Sequence, residues 1–375
     1  MTATIRVMDR VRDVLTSGLT HRPRPLYPGA VAVVVRDGAM QPPVAVGHAV
    51  RYADGAGTEL ASDARTEVRP DTIFDVASLT KLFTATVVMG LVGDGLLDLD
   101  QPVAEHLPSF RTGQRREVTL RHILSHTSGI PDLLKLWTDW PTRAARRRAV
   151  LEAPLRHSAG SRFEYSCIGF MVAGFLAEHV TRRTLPELVD KRVCRPLGLL
   201  DTGFLPSVER LARVAATEYQ PAIGRGMVQG SVHDENSWSL GGTAGNAGLF
   251  STAADIARFG EAIRRGGEID GTRILPEAAV SEMVRDQLPS TINPGFGHGL
   301  GFRIGAPTFM GALADSGAIG HTGFTGTSLV IDASRHLVVV LMTNRIHPDR
   351  NWSDIGEVRC SVAEAAAGAP PGGRR

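Results

Sequence analysis

The sequence has few cysteines, no long apolar run and almost no net charge. Its three cysteines, Cys167, Cys194 and Cys360, are an odd number without a C-x-x-C pair, which argues against a disulfide framework or a zinc site and indicates reduced thiols. No apolar stretch is long enough to span a bilayer. A formal net charge of +2 gives no general attraction to nucleic acids or membranes. We therefore expect neither a nucleic acid nor a membrane as partner.

The length and the apolar content set the scale of the fold. A chain of 375 residues has room for two or three structural units, and 43% hydrophobic residues suffice for a large core. The first ten residues lack the uninterrupted apolar segment of a secretory signal. We therefore expect a cytoplasmic protein.

The most informative segment is Ser78-Leu79-Thr80-Lys81, which places a serine and a lysine three residues apart. In a helix these two positions share one face, so the lysine amine can reach the serine hydroxyl. A serine becomes a nucleophile beside a base, and a lysine can be that base when burial lowers its pKa. The apolar segment 82–92 predicts a helix buried on all sides, which would supply that burial. The alternative is a serine that only caps this helix.

Two later segments carry further reactive or polar side chains. Tyr165 is followed two positions on by Cys167, and His321-Thr322-Gly323 precedes a strand-like run. The order of the three motifs resembles the serine β-lactamase and penicillin-binding-protein superfamily, specifically its class C-like branch of esterases, D-alanyl peptidases, muropeptide amidases and transacylases. The resemblance covers residues 28–365 and includes the segments 95–103, 118–130, 195–204, 230–236, 245–252 and 343–348.

The resemblance implies a role for each motif residue. Ser78 would be the nucleophile that is acylated, and Lys81 would take or relay its proton. Tyr165 would be held partly as phenolate by the Lys81 cation and would pass the proton to the leaving group. A buried core phenol is the alternative for Tyr165. The backbone N–H groups of Ser78 and Phe324 would form the oxyanion hole.

Two positions depart from the pattern of penicillin-recognising relatives. Where those relatives usually carry a lysine before Thr322 and Gly323, this chain has His321, and a histidine is mostly neutral at pH 7. We therefore expect weak recognition of a substrate carboxylate, with a gain in charge below about pH 6.5. Cys167 stands where an asparagine is usual, and a thiol is a poor hydrogen-bond partner for a substrate amide. The first departure favours esters or neutral amides over β-lactams and D-Ala-D-Ala termini, and the second puts the positioning of a substrate amide in doubt. Cys167 itself is expected to pack rather than to act as a second nucleophile.

His233 and Asp234 lie in a glycine-rich loop and allow two interpretations. His233 could line the acyl or leaving-group pocket, or it could hold the loop by hydrogen bonds. No second histidine stands at ligand spacing from His233, so we expect no metal site and no cofactor. His122 and His126 are four residues apart, but the residues around them match a structural helix and turn of the family.

Strand and helix signals predict how the chain is organised. Val7, Val11 and Leu15 recur at helical spacing, and the apolar run 30–35 predicts a buried strand that ends in a turn. Further strand signals follow only near the end of the chain, and the region between is largely helical. They lie at 299–304, 327–332 and 337–342.

We therefore predict an α+β protein with the β-lactamase/transpeptidase-like fold: an antiparallel sheet flanked by terminal helices, with a mostly helical inserted lobe. Residues 1–75 and 295–375 would form the sheet lobe, and residues 76–294 would form the helical lobe with the nucleophile helix. The tail 368–375 is predicted to be disordered.

The sequence thus predicts a serine hydrolase that cleaves a small-molecule ester or amide through an acyl-enzyme on Ser78, with carboxylesterase activity the favoured interpretation. A transacylase, a D-alanyl peptidase or a muropeptide amidase would use the same residues. A ligand sensor of the same fold is the alternative outside enzymes, and the oligomeric state is left open. Peptidoglycan enzymes normally work outside the membrane, so a cytoplasmic protein would favour a small ester, a recycled cell-wall fragment or a biosynthetic acyl transfer.

Overall fold

The structure of the protein, a computed structural model, describes residues 3–368. Its helices are α1 Ala3–Thr20, α2 Thr80–Gly93, α3 Leu120–Leu124, α4 Leu136–Asp139, α5 Arg143–Glu152, α6 Cys167–Thr181, α7 Leu185–Val189, α8 Arg195–Leu197, α9 Glu235–Ser239, α10 Ala253–Arg264, α11 Glu277–Val284, α12 Pro307–Met310 and α13 Gly356–Ala367. Its strands are β1 Gly29–Arg36, β2 Ala39–Met40, β3 Val44–Val50, β4 Thr66–Glu67, β5 Phe74–Asp75, β6 Gly203–Phe204, β7 Leu249–Ser251, β8 Glu268–Ile269, β9 Thr272–Arg273, β10 Gly297–His298, β11 Arg303–Ile304, β12 Ile319–Thr322, β13 Ser328–Asp332 and β14 Leu337–Thr343.

A nine-stranded antiparallel sheet is the centre of the fold. Its strand order is β10-β11-β12-β13-β14-β1-β3-β4, and β2 pairs with β1. β1 lies between β3 and β14, with Val33 opposite Val340. Strands from both ends of the chain therefore build one sheet, and most of the helices between them form a separate insertion.

The alternation of side chains along β1 separates two apolar cores. Val31 and Val33 belong to the core that contains α2, α6 and α10, whereas Ala32 and Val34 belong to the core that contains α1, α12 and α13. Since helices cover both faces, β1 is buried over nearly its whole length and β14 over all of it. This explains why both strands are continuous apolar runs instead of alternating ones.

The insertion brings two helix starts together beside the sheet. β5 belongs to a small sheet of order β5-β7-β6 and leads through the 3₁₀ turn Ala77–Leu79 into α2. α2 is buried on nearly all sides and packs against α6, which begins at Cys167. The Ser-x-x-Lys segment and the Tyr-x-Cys segment thus lie next to one another.

The α+β fold, the antiparallel sheet and the flanking terminal helices are confirmed. Only Arg303–Ile304 of the predicted strand 299–304 is a strand, because Leu300 and Gly301 donate to the Met283 and Leu124 carbonyls instead of a strand partner. The tail predicted to be disordered lies outside the described residues, except Gly368, which ends α13. The lobe boundaries at 75/76 and 294/295 stay a prediction. No helix within residues 3–368 has the length and apolar character that a bilayer crossing requires.

Candidate active site

Ser78 lies in a strained turn at the start of α2. Ala77, just before it, has a left-handed backbone with φ 47°, which is uncommon for a residue with a side chain. The Ala77 N–H donates to Asp75 Oδ1 at 2.9 Å, and this bond holds the strained residue in place. The turn therefore presents Ser78 at the floor of a cleft, where it lines a cavity of about 570 Å³.

Lys81 is fully buried and makes the contact that the motif predicts. Its Nζ donates to Ser78 Oγ at 2.9 Å, to the Asn246 carbonyl at 3.1 Å and to Cys167 Sγ at 3.5 Å. Three acceptors match the three protons of an ammonium group. The contact with Ser78 makes the serine more than a helix cap, because its hydroxyl is tied to a buried amine.

The charge of Lys81 corrects one expectation. Burial lowers its pKa, but the neighbouring Cys167, Tyr165 and Asp234 outweigh burial and hold that pKa above its ordinary value of 10.5. The expectation that burial would leave a lysine with a lowered pKa is therefore wrong for this pocket. Lys81 is a cation in the resting site, and it can orient Ser78 and stabilise negative charge nearby.

Tyr165 lies on the loop before α6, as expected. The Lys81 Nζ lies 4.9 Å from the centre of its ring, and the His126 ring lies 4.5 Å away on centroids. His126 is buried and its Nδ1 accepts the Ser166 N–H at 2.9 Å, so this histidine holds the loop that carries the tyrosine. The match to a structural turn was the only sequence signal for His126.

Cys167 occupies the first position of α6 and faces Lys81. Burial raises the pKa of its thiol, so the sulfur is protonated at neutral pH. A protonated thiol is a weak nucleophile. Cys167 also accepts a bond from Lys81 and borders the cavity, and its role as a packing residue stays a prediction.

The turn after β12 forms the wall opposite Ser78. A side chain at Gly323 would put its Cβ 2.0 Å from Thr327 Oγ1 and 2.5 Å from the Val76 carbonyl, so only glycine fits. The Gly326 N–H closes the turn on the Gly323 carbonyl at 3.1 Å. Phe324 stands at the tip, 47% exposed, and its N–H donates to no other residue in the described chain.

Two threonine hydroxyls fasten this turn to the nucleophile segment. Thr325 Oγ1 donates to the Asp75 carbonyl at 2.7 Å, and Thr327 Oγ1 donates to the Val76 carbonyl at 3.0 Å. Both threonines are buried. The Phe324 N–H is therefore held at a defined distance from Ser78, as an oxyanion hole requires, although that role stays a prediction.

His321 does not face the substrate cavity, contrary to what its place in the motif predicts. Its side chain is 1% exposed, does not border the cavity, and packs 5.9 Å from the Tyr165 ring on centroids. Nδ1 lies 2.8 Å from the Thr322 carbonyl, and Nε2 has no partner in the described chain. Burial and the cations of Arg303 and Lys81 hold the pKa of His321 well below 6.5. The expectation that this imidazole faces the substrate and gains charge near pH 6.5 is therefore wrong.

His233 combines both interpretations that the sequence allowed. Its backbone N–H donates to Asp75 Oδ2 at 2.7 Å, and its ring Nε2 lies 2.8 Å from Glu218 Oε2. His233 therefore holds the loop. Its ring also stacks on Phe324 at 5.7 Å and borders the cavity. Asp234 caps α9 through the Ser237 N–H at 2.7 Å.

The ligand atoms of Glu218, His233 and Glu235 lie within 4.8 Å of one another, close enough to hold a metal ion. The Arg350 guanidinium already supplies a cation there. It donates to both carboxylates and lies 3.3 Å from His233 Nε2. An arginine in this position offsets one of the two negative charges, and the absence of a metal stays a prediction.

The cleft contains more positive charge than its motifs predict. Four arginines line the cavity: Arg303, Arg345, Arg350 and Arg359. No sequence pattern indicated them as a group, because they come from three separate places: β11, the loop after β14 and α13. Only Arg345 stood in a segment that the resemblance included, 343–348.

Arg303 is one of the cavity arginines that form no ion pair in the described chain. No carboxylate within residues 3–368 forms an ion pair with it, and its buried Nε has no partner there. Its guanidinium lies 5.5 Å from the rings of Tyr165 and Phe296. It also borders a second cavity of about 810 Å³ that shares Thr322, Asp354 and Arg359 with the first. An unpaired cation beside the predicted catalytic tyrosine suits a substrate anion.

Comparisons with known proteins agree with the fold. The family model described as Beta-lactamase matches residues 21–360. A Salmonella typhimurium protein with the provisional name D-alanyl-D-alanine carboxypeptidase is 30% identical over 86% of this chain and 79% of its own length. The structure of SurE with D-Leu is 26% identical with a TM-score of 0.72, over 100% of this chain and 77% of that one. EstCE1, a hydrolase with promiscuous acyltransferase activity, has the same fold with a TM-score of 0.76, at 22% identity over 97% of this chain and 99% of that one.

Proposed function

Since this chain belongs to the β-lactamase family and is a serine hydrolase of that family, we propose that it hydrolyses substrates that carry a carboxylate next to the scissile bond, as a D-alanyl peptidase does. The observation that carries this proposal is Arg303, a cation without an acidic partner in the described chain, on the cavity that contains Ser78.

The proposed reaction has two halves. Ser78 Oγ attacks the substrate carbonyl while its proton passes to the Tyr165 oxygen beside the Lys81 cation. The N–H groups of Ser78 and Phe324 stabilise the oxyanion that forms. When the intermediate collapses, the bond to the leaving group breaks and Tyr165 returns the proton to that group. Water then attacks the acyl-enzyme, and the same groups release the acid.

Substrate charge is where this proposal differs from the sequence analysis. Weak carboxylate recognition was expected because His321 replaces a lysine, but His321 is buried behind the cavity. Arg303 supplies the cation from another strand, and unlike a histidine it is charged at every relevant pH. The name of the Salmonella protein and the D-Leu in the SurE structure also support a substrate with a D-amino acid carboxylate.

A carboxylesterase on neutral esters, the interpretation that the sequence favoured, is the second candidate. Cys167 supports it, because a thiol holds a substrate amide less well than the usual asparagine. The two candidates share Ser78, Lys81 and Tyr165 and differ in whether the substrate needs an anion.

A matched substrate pair tests the proposal. A depsipeptide that ends in a free D-alanine-like carboxylate and its methyl ester are offered to the parent protein and to Ser78→Ala. We expect the parent to prefer the free carboxylate about tenfold or more, with an acyl adduct on Ser78 in the intact-protein mass spectrum. Preference for the methyl ester would favour the carboxylesterase, and turnover by Ser78→Ala would refute the nucleophile.

A further inference from the structure

The turn that carries Phe324 lacks a hydrophobic anchor. The Phe324 side chain is 47% exposed and lies on the rim of the cleft instead of in a core. Thr325 and Thr327 fasten the base of the turn, whereas its exposed tip depends on contacts at the surface. Yet an oxyanion hole needs its N–H groups within a few tenths of an ångström.

Arg345 adds a restraint on the open side of the turn, away from the two threonines. Its Nε donates to the Phe324 carbonyl at 3.0 Å, and its guanidinium lies over the Phe324 ring at 4.9 Å. Its Nη1 donates to the Ser353 carbonyl at 2.7 Å and to the Arg350 carbonyl at 3.3 Å. One guanidinium therefore links the turn to the segment that leads into α13.

No acidic residue within residues 3–368 forms an ion pair with Arg345, and burial lowers its pKa. The protein thus holds this cation among backbone carbonyls. The free-energy cost of removing the cation from water is offset by the charge-assisted hydrogen bonds that it donates. Arg359 repeats the pattern behind the turn, with bonds from Nη2 to the Gly323 carbonyl at 2.8 Å and the Thr327 carbonyl at 3.2 Å. Three carbonyls of one short turn therefore accept bonds from arginines.

We propose that Arg345 is a positioning residue, which holds the backbone of Phe324 so that its N–H points at the developing oxyanion. This inference rests on the proposed function, because it assumes that the Phe324 N–H is an oxyanion donor. Arg345 acts through the turn and not through the substrate. Its removal should therefore affect the transition state more than substrate binding.

The test compares Arg345→Met, Arg345→Lys and Arg345→Ala with the parent on the best substrate found. Arg195→Met is the control, since Arg195 is 76% exposed and pairs with Asp190 away from the cavity. Rates are divided by the fraction of Ser78 that can be labelled to completion, so misfolded protein does not count. We expect Arg345→Met to lower kcat about ten- to hundredfold with KM within about threefold, and Arg345→Lys to fall between.

Two further readouts separate positioning from a general structural role. A boronic acid that forms a tetrahedral adduct on Ser78 should lose affinity for Arg345→Met by the same factor as kcat/KM. Added guanidinium ion, far below denaturing concentration, should restore part of the activity of Arg345→Ala and none of any loss in Arg195→Met. A kcat per labelled site equal to the parent, a change confined to KM, or an unchanged boronic acid affinity would overturn the inference. If the parent protein turns over no substrate, that result contradicts the proposed function rather than the role of Arg345.

Discussion

Replacement of Arg303 by methionine tests which residue recognises substrate charge. Methionine keeps a long apolar stem against Tyr165 and Phe296 but removes the guanidinium. A charge-assisted hydrogen bond to a carboxylate is worth about 1.5–3 kcal/mol, and about 1.4 kcal/mol corresponds to a factor of ten. We therefore expect kcat/KM for the free carboxylate to fall about ten- to hundredfold, while the methyl ester changes by less than about threefold.

Stability should move in the opposite direction from activity. Burial lowers the pKa of Arg303, which means that the folded protein disfavours the charged form that the unfolded chain carries. Removal of this unpaired charge should leave the free energy of unfolding unchanged or raise it. Thermal unfolding of the parent and Arg303→Met, followed with and without a carboxylate product, measures both effects.

The assay is a ratio of rates for one pair of substrates, so it does not depend on the fraction of active enzyme. Arg195→Met again serves as the exposed control. If Arg303→Met keeps the parent ratio, the cation does not hold the substrate carboxylate, and the case for a D-alanyl peptidase-like enzyme would lose its main support.

Four further outcomes follow from the site. Ser78→Ala should abolish hydrolysis with an unchanged melting temperature, and Lys81→Ala should lower it about a thousandfold or more; a rate within a few-fold of the parent in either would contradict the assignment. His321→Lys should lower the free energy of unfolding by about 2–4 kcal/mol, because it buries a cation beside Arg303. Denaturant titration measures this free energy, and a value equal to that of the parent would contradict the prediction. Burial lowers the pKa of His298 to about 4. As the pH falls from 6.5, the imidazole therefore takes up its proton in the unfolded state before it does so in the folded state. The free energy of unfolding should drop by up to about 3 kcal/mol towards pH 4. Melting temperatures measured over this pH range should fall less steeply for His298→Asn than for the parent. Dialysis against a chelator should leave hydrolysis intact, whereas a loss restored by zinc would place a metal in the Glu218 cluster.

Local patterns in the sequence were enough to predict most of the framework and the contact between Ser78 and Lys81. Ser78 and Lys81 meet because three residues make almost one helical turn, and β1 and β14 are recognisable because strands covered on both faces are apolar throughout. These features depend on neighbours within a few positions. β3 was missed for the same reason, since Gly47 and His48 interrupt its apolar pattern.

The charges of the site depend on residues far apart in the chain. Nothing near Lys81 in sequence indicates that Tyr165 and Asp234 would keep it a cation, and the triplet at His321 gives no sign that its ring turns away from the cleft. Desolvation and Coulomb interaction act through space, so their balance exists only after β12, α2 and α6 have packed together.

The sequence by itself therefore determined the family and the sheet and predicted the nucleophile, because each rests on short periodic patterns and on the order of motifs. Only the tertiary structure decided which cations line the cavity. Arg303 lies on a strand and Arg345 in a loop, and the two meet at the cleft only after folding. A long side chain can point into a pocket or away from it without any change in the local sequence pattern that predicts its strand.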